Sequence, residues 1–485
     1  MSEAELREPL TEVLRGCVEG FQELTTLERL SGGASQETYR IVVATGDGER
    51  RFAMRRAPGG EVSEEAAEAR PGLAAEAAMF SAAHAVGVPE PEVLHVLTPD
   101  DGVGEGFVME WLDGEALGAR IARHPDFAAL REHLAYDCGR ILAKIHAIDV
   151  EATGLAAHLQ VLQPETFVEQ MWERYRAFQT PQPMIDYSAR WLLDNLPAGA
   201  RQTLVHNDFR NGNIMVNADE VVAVLDWEVA HIGDPMRDLG WICTNSWRFG
   251  VADKPVGGFG LREDLFRGYE DESGIAVDPQ AVKFWEVFGS YWWAVGCLGM
   301  AEHYRNGPDQ TVERPGIGRR SSECQADCVN LLIPGAVTLV EPGIVDGSAA
   351  PGASAGFQMP RLDELLLSVR DFLREDVMRQ TSGRVQFLAR VAANSLDIVD
   401  RELRAGAKLE ALELMLLHAL DLETPASEDV GALRWALVDA LREGTLELDD
   451  PALIAYLRNA VINQLAIDQP RYSALTTALT PAAHA

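Results

Sequence analysis

Residues 204–216 read Leu-Val-His-Asn-Asp-Phe-Arg-Asn-Gly-Asn-Ile-Met-Val, and residues 221–226 read Val-Val-Ala-Val-Leu-Asp. Within this stretch Asp208 is preceded two positions earlier by His206 and followed five positions later by Asn213. Asp226 comes thirteen residues after Asn213, at the end of an apolar run. Residues 213–216 and 221–225 have the composition of two short strands, with Asn-Ala-Asp-Glu between them as turn chemistry. A tight loop leading into a strand therefore presents Asp208 and Asn213, and the end of the next strand presents Asp226.

Working outward toward the N-terminus, residues 37–44 and 50–55 alternate as two strands joined by Thr45-Gly46-Asp47-Gly48. An Ala/Glu-rich helix is expected over 64–86, broken by Gly-Val-Pro-Glu-Pro, and a further strand over 106–111 ends at Asp113-Gly114. Residues 1–30 read as a helical lead-in. Toward the C-terminus, residues 127–200 turn helical, with Cys138, Ile141, Leu142 and Ile145 on one face. Helices resume after 226 to about 332. Residues 333–359 are rich in Pro, Gly, Ala and Ser, the composition of a linker. Beyond it Leu362, Leu365, Leu366, Val369, Phe372 and Leu373 open a run of helical patterns that continues to the end.

The composition, 47% hydrophobic and 24% charged over 485 residues, belongs to a globular protein of two or three folding units. The 42 basic and 75 acidic residues leave a net charge of −33, a field that repels nucleic acid and anionic membranes. Only four residues are lysine: Lys144, Lys254, Lys283 and Lys408. The six cysteines form no CxxC pair, so neither a zinc site nor a disulfide is implied. The acidic start lacks the order of a signal peptide, and the apolar stretch near residues 292–300 is too short to span a bilayer. A cytoplasmic protein is expected, with no nucleic-acid or membrane partner.

The His206/Asp208/Asn213/Asp226 arrangement is that of a kinase catalytic loop. Asp208 reaches an acceptor hydroxyl as catalytic base, while Asn213 and Asp226 hold a magnesium ion on the phosphates of ATP. The bland alternative is that these acids and amides are turn formers, which Asp and Asn usually are. The two strings VHNDFRNGNIMV and VLDWEVAHIGDPMRDLGW resemble the aminoglycoside phosphotransferase family with its choline-kinase-like relatives. The resemblance is closest to the subgroup found fused to acyl-CoA dehydrogenases, and covers about residues 27–330. It implies an α+β, protein-kinase-like two-lobed fold followed by a small all-helical domain. The expected divisions are a small lobe over 1–105, a large helical lobe over 106–332, the linker over 333–359 and the helical domain over 360–485.

The resemblance also assigns the nucleotide contacts. LSGGASQETYRI resembles the glycine-containing loop over the phosphates, giving Gly33 and Ser35, although a Gly-Gly pair is equally typical of an ordinary turn. VMEWLDG resembles the hinge, giving the backbone of Glu110 and Leu112 as adenine contacts. Kinases carry a lysine on the third strand, in a pattern like Val-Ala-Ile-Lys. The matching string here is Phe52-Ala53-Met54-Arg55, and no lysine precedes Lys144. Arg55 is thus the candidate phosphate clamp, an arginine not interchangeable with lysine, with Glu76 its candidate partner and Arg56 on the opposite face. Asp234 and Asp238 look like supports of the catalytic loop, and His206 packs beneath it. The aromatic stripe Trp285, Phe288, Tyr291, Trp292 and Trp293 could wall an acceptor pocket, but mostly has the pattern of a helical core.

Two functions follow. One is an ATP- and Mg²⁺-dependent phosphotransferase acting on a hydroxyl of a small molecule. The resemblance suggests a hydroxyacyl-CoA or hydroxy acid, with an aminoglycoside or amino alcohol as the alternative substrate. The other is a weak or inactive kinase-like module that binds nucleotide without transfer, a reading supported by the absent lysine. Residues 360–485 show no catalytic constellation and are expected to serve homo-oligomerisation or partner docking.

Overall fold

The computed structural model describes residues 3–30, 36–57, 71–340, 362–420, 422 and 429–480. The chain forms two compact units, Met1–Pro164 with Pro197–Glu286, and Glu165–Leu196 with Val287–Ala485.

The first unit opens with α1 (Glu3–Cys17), then β1 (Phe21–Arg29), β2 (Glu37–Thr45), β3 (Gly48–Arg56), α2 (Leu73–Ala85), β4 (Val93–Val96) and β5 (Gly106–Glu110). The strands make one antiparallel sheet in the order β1-β2-β3-β5-β4. Alternation in the strands sorts side chains between its faces. Tyr39, Ile41 and Val43 of β2 and Phe52 and Met54 of β3 join Leu6, Leu10 and Leu14 of α1 in one apolar cluster. Burying each large apolar side chain of this kind contributes about 1.5–3 kcal/mol. Arg55 is displaced from that face by one residue and so points to the other side, toward α2. Arg56 lies on the α1 side, where it pairs with Glu37 at 2.8 Å and donates to the carbonyl of Val103 at 2.7 Å.

Two features of this sheet differ from expectation. Residues 21–29 form an edge strand where a helical lead-in was expected. Phe21, Leu24 and Leu27 are spaced by three, as on a helix. Register shifts between Phe21 and Glu23 and between Leu24 and Thr26 break the alternation, letting Leu24 and Leu27 join the core with Phe21 packed against them. The expected lobe boundary at 105/106 falls inside the sheet, because β5 pairs with both β3 and β4.

After the sheet the first unit continues with α3 (Gly118–Arg123) and α4 (Leu134–His146). The next two helices, α5 (Pro164–Ala177) and α6 (Pro183–Asp194), lie in the second unit apart from Pro164. The first unit resumes with β6 (Thr203–Val205), the hairpin β7 (Ile214–Val216) and β8 (Val221–Val224), and β9 (His231–Gly233), which pairs with β6. Next come α7 (Met236–Cys243) and α8 (Arg262–Ser273).

The second unit is helical. It takes α5, α6 and the part of α9 (Pro279–Asn306) from Val287 onward. It also holds α10 (Glu313–Gly318), α11 (Ser321–Leu332), α12 (Leu362–Phe372), α13 (Gly383–His418), α14 (Val430–Glu443), α15 (Pro451–Asp468) and α16 (Ser473–Leu479). The expected division at 333–359 is not where compactness divides the chain. The buried carboxylate of Asp186 on α6 accepts from Trp172 at 2.8 Å, from Tyr175 at 2.9 Å and from Arg442 of α14 at 2.8 Å. Tyr472 donates to Asp327 of α11 at 2.8 Å, and Arg458 of α15 donates to the carbonyl of Ile333 at 2.7 Å. The start of the expected linker is docked as well: the amides of Thr338 and Val340 donate to Asn459 and Asn463, both at 2.7 Å. Residues 341–359 of that segment lie outside the described residues.

Of the aromatic stripe, Trp285, Phe288 and Tyr291 are buried. In the first unit Trp285 donates its indole N–H to Asp234 at 2.8 Å; in the second the rings of Phe288 and Phe167 meet at 4.6 Å.

Candidate functional site

Asp208 sits on the loop between β6 and β7. Its Oδ1 accepts from Arg210 Nε at 3.0 Å and from the indole N–H of Trp241 at 2.8 Å. Its Oδ2 accepts from Asn213 Nδ2 at 2.6 Å, and the same amide nitrogen donates to the Asp208 carbonyl at 3.0 Å. Asp208 and Asn213 are therefore in direct contact. Because both Asn213 bonds use its nitrogen, the side-chain oxygen is left as an acceptor.

The loop is held from below by buried polar groups. Asp238, fully buried on α7, accepts the backbone N–H of His206 at 2.9 Å and that of Asn207 at 2.7 Å. A third bond, from His146 Nε2 at 3.0 Å, completes its environment. Burial alone would raise the Asp238 carboxyl, but His146 and the loop amides outweigh it and hold the group below its ordinary value. His206 lies beneath the loop. Its Nε2–H donates to the carbonyl of Leu225 at 3.1 Å and its Nδ1 accepts the N–H of Asp208 at 3.2 Å. Both nitrogens of a neutral imidazole are thus used, and burial pushes the ring's proton affinity down. This histidine ties the Asp208 loop to the strand end that carries Asp226. Asp234 lies two residues before α7, accepting from the Met236 amide at 3.1 Å as well as from Trp285.

Two non-glycine residues of this region take positive φ, Asn207 at 67° and Asp226 at 72°. Asn and Asp tolerate this conformation better than other L residues, and such strain gathers at functional sites. Gly212 is at φ 109°, a backbone conformation that L side chains rarely adopt, so a side chain there would be strained.

Arg55 joins the sheet to this loop. Its guanidinium contacts Glu76 Oε1 at 2.6 Å, Asp226 Oδ1 at 3.0 Å and Gln36 Oε1 at 2.8 Å. Glu76 is 1% exposed in the first turn of α2. Burial outweighs Arg55 and, with Asp226 adding to it, carries the Glu76 carboxyl up to about 7. Burial pulls the Arg55 guanidinium down, yet Glu76 and Asp226 together raise it on balance, so it stays charged.

The structure thus brings Arg55, Glu76, Asp226, Asp208 and Asn213 into one linked cluster. Glu110 and Leu112 lie at the end of β5. The amide of Glu110 is engaged by the carbonyl of Glu92 at 2.8 Å, while the Leu112 amide makes no backbone hydrogen bond among the described residues. Gly33 and Ser35 lie outside the described residues. Three side chains of the cluster were not singled out from sequence: Gln36, Arg210 and Trp241. Arg210 lies inside the diagnostic string itself, two residues after Asp208, and its guanidinium also stacks 4.2 Å over the ring of Trp247. Trp241 follows Asp238 by three positions, inside the second string, and nothing in the local pattern marks it as a partner of Asp208.

A model of the family described as "Phosphotransferase enzyme family" matches residues 26–279. The chain belongs to that family. A second model, "Domain of unknown function (DUF6285)", matches residues 379–472 of this phosphotransferase-family chain. Acyl-CoA dehydrogenase family member 10 of Mus musculus is 31% identical over 261 residues, covering 50% of this chain and 23% of that protein. Acyl-CoA dehydrogenase family member 11 of Rattus norvegicus is 28% identical over 447 residues, covering 85% of this chain and 53% of that protein. The chain therefore spans about half or less of the length of these curated relatives. Among solved structures, that of a candidate aminoglycoside phosphotransferase from Ralstonia eutropha superposes with a TM-score of 0.54 at 22% identity. It covers 67% of this chain and 97% of its own, a likeness of fold. No helix among the described residues is long and apolar enough to cross a membrane.

Proposed function

We propose that the chain transfers the γ-phosphoryl group of ATP to a hydroxyl group of a small molecule, with Mg²⁺ as the metal. The observation that carries this reading is the contact of Asn213 with Asp208 on one loop and of Arg55 with Glu76 and Asp226 across from it. The donor set suits a hard cation, since Asn213 Oδ1 and the Asp226 carboxylate are both oxygen ligands. A magnesium ion there would neutralise charge on the phosphate oxygens.

Asp208 has about four lone-pair positions on its carboxylate. Arg210 and Trp241 use those on Oδ1, and Asn213 uses one on Oδ2. One position on Oδ2 is left for the acceptor O–H. Asp208 orients that hydroxyl and takes its proton as the new O–P bond forms and the bond from the γ-phosphorus to the leaving oxygen of ADP breaks. Arg55 has five N–H groups; two donate to Gln36 and Asp226 while the guanidinium pairs with Glu76, so N–H groups remain for phosphate oxygens. Arg210, fixed beside Asp208, adds positive charge where the phosphoryl group passes. The Leu112 amide and the Glu110 carbonyl serve as adenine contacts, and Gly33 and Ser35 as the cover over the phosphates.

For the acceptor, a hydroxyacyl-CoA or hydroxy acid, whose phosphorylation creates a leaving group, is in keeping with relatives named as acyl-CoA dehydrogenase family members. An aminoglycoside or amino alcohol is the alternative. The test is a mass-spectrometric screen across these classes for a gain of about 80 Da, one phosphoryl group. Asp208→Asn is expected to keep nucleotide binding and lose about 10²–10⁴-fold in transfer. A second reading, a nucleotide-binding module without transfer, draws on Arg55 in the lysine position. It prevails if the chain and its Asp208→Asn variant bind ATP equally and neither turns it over with any acceptor. The C-terminal helices are proposed to mediate self-association or partner docking. A monomeric mass for the full chain across a wide concentration range would count against self-association.

A further inference from the structure

On the side of α4 and α8, the first unit holds a cavity of about 330 Å³, within the range of small-molecule sites, roughly 300–1,000 Å³. Lys144, His146, Arg201, Tyr269 and Ser273 line it. Neither Lys144 nor Arg201 has a carboxylate partner among the described residues. The Lys144 ammonium donates to the carbonyl of Gly87 at 3.0 Å, and Arg201 Nη2 donates to the Tyr269 hydroxyl at 2.9 Å. Glu272, the acid on the same wall, is bound to Arg140 at 2.9 Å. In a chain of net charge −33, these two cations share one concave surface with no ion-pair partner within 4 Å among the described residues.

The floor of the cavity is wired to the catalytic loop. Asp238 can only accept, so the 3.0 Å contact with His146 is an Nε2–H donor, which leaves Nδ1 to accept from the Tyr269 hydroxyl at 3.2 Å. The donors therefore run one way, from Arg201 to Tyr269 to His146 to Asp238. Asp238 in turn accepts the backbone N–H groups of His206 and Asn207, the two residues before Asp208. A group that competes for Arg201 alters the first link of this chain.

We propose that this cavity binds a small oxyanion-bearing metabolite, its phosphate or carboxylate group held by Lys144 and Arg201, and that occupancy alters the opening of the loop carrying Asp208 through the Arg201–Tyr269–His146–Asp238 chain. The site is separate from the Arg55 cluster, and its existence does not depend on Asp208 transferring phosphate.

Titration calorimetry of the full chain with inorganic phosphate, and separately with malonate, tests the binding. Arg55→Gln silences the other phosphate-binding candidate in a parallel sample. Saturable binding is expected to persist in Arg55→Gln and to weaken by about tenfold or more in the Lys144→Gln/Arg201→Gln double variant, the equivalent of one lost charge-assisted bond. Ala147→Phe, at another lining position, fills the space without removing a charge and should abolish binding too, which covers the case of a misfolded double variant. Hydrogen exchange over residues 204–210 should change when the preferred anion is added to the unaltered chain and stay unchanged in Ala147→Phe. A preference for phosphate or for malonate separates the two ligand sources. Binding that disappears in Arg55→Gln and survives in the double variant overturns the site, as does no saturable binding at all. Binding with unaltered exchange overturns the coupling.

Discussion

Asn213 Nδ2 donates to Asp208 Oδ2 at 2.6 Å, so the proposed metal ligand and the proposed base are held by each other. The two residues that define the diagnostic spacing are one physical object. The amide nitrogen fixes the carboxylate rotamer, and by doing so turns its own oxygen away from Asp208.

Asn213→Ala should therefore damage two things at once. The Mg²⁺ concentration for half-maximal activity is expected to rise, by tenfold or more if a contact of roughly 1.4 kcal/mol is lost. The maximal rate at saturating metal is expected to fall as well, because Asp208 loses a donor. Steady-state kinetics over a Mg²⁺ series separates the effects; a change in metal requirement alone would show that Asp208 does not depend on Asn213.

Arg55→Lys restores the residue type common in kinases and is nevertheless expected to weaken nucleotide binding, by about tenfold. A lysine ammonium has three donors on one nitrogen and cannot reproduce the fork that meets Glu76 Oε1, Asp226 Oδ1 and Gln36 Oε1 together. Fluorescence titration with a nucleotide analogue measures this. Tighter binding in the variant would mean the arginine is an impaired substitute.

Glu76 supplies a pH dependence. Its carboxyl lies at about 7 in the folded chain against an ordinary 4.5, so the folded state holds a proton that the unfolded state has released. Stability from this group is fully present below pH 4.5, falls as pH rises toward 7 and is flat above, an effect on the order of 3 kcal/mol. Glu76→Gln keeps the shape and cannot ionise. Urea unfolding at pH 5 and pH 8 should show the unaltered chain losing ground relative to the variant at the higher pH; parallel behaviour would refute the assignment.

Asp238→Asn should destabilise the first unit by about 3 kcal/mol and lower turnover more than nucleotide affinity. The amide retains one acceptor oxygen and places its NH₂ among the donors His146, His206 and Asn207. Because the Asp238 carboxyl is held below its ordinary value of 3.8, its stabilisation is complete above that pH and fades as pH falls beneath it. Thermal melts from pH 7 down to pH 3 should show the gap between the two proteins closing only at the acid end.

Much of the cluster was legible in the chain itself. The order and spacing of Asp208, Asn213 and Asp226 depend on local geometry, a loop entering a hairpin, and a one-dimensional pattern records such things well. The Arg55–Glu76 pair was accessible through period-two alternation in β3 and the acid in the first turn of the next helix. Strand β1 was not accessible, because its two register shifts give the apolar residues a helix-like spacing. Nor was the union of α14 and α15 with α6 and α11, which rests on packing between helices far apart in sequence, pinned by contacts such as Arg442 to Asp186.

By itself the sequence determined which groups stand at which spacing: an acid, an amide and a second acid, with an arginine ahead of them on the third strand. Spacing along a chain carries that information because neighbours in a loop cannot stray far from one another. Tertiary structure alone decided which donors saturate Asp208, that Arg55 reaches Asp226, and that Asp238 and His146 tie a charged cavity to the loop. Trp241 to Asp208, His146 to Asp238 and Arg55 to Asp226 join residues 33, 92 and 171 positions apart, and only the packing of sheet and helices brings such groups within hydrogen-bond reach.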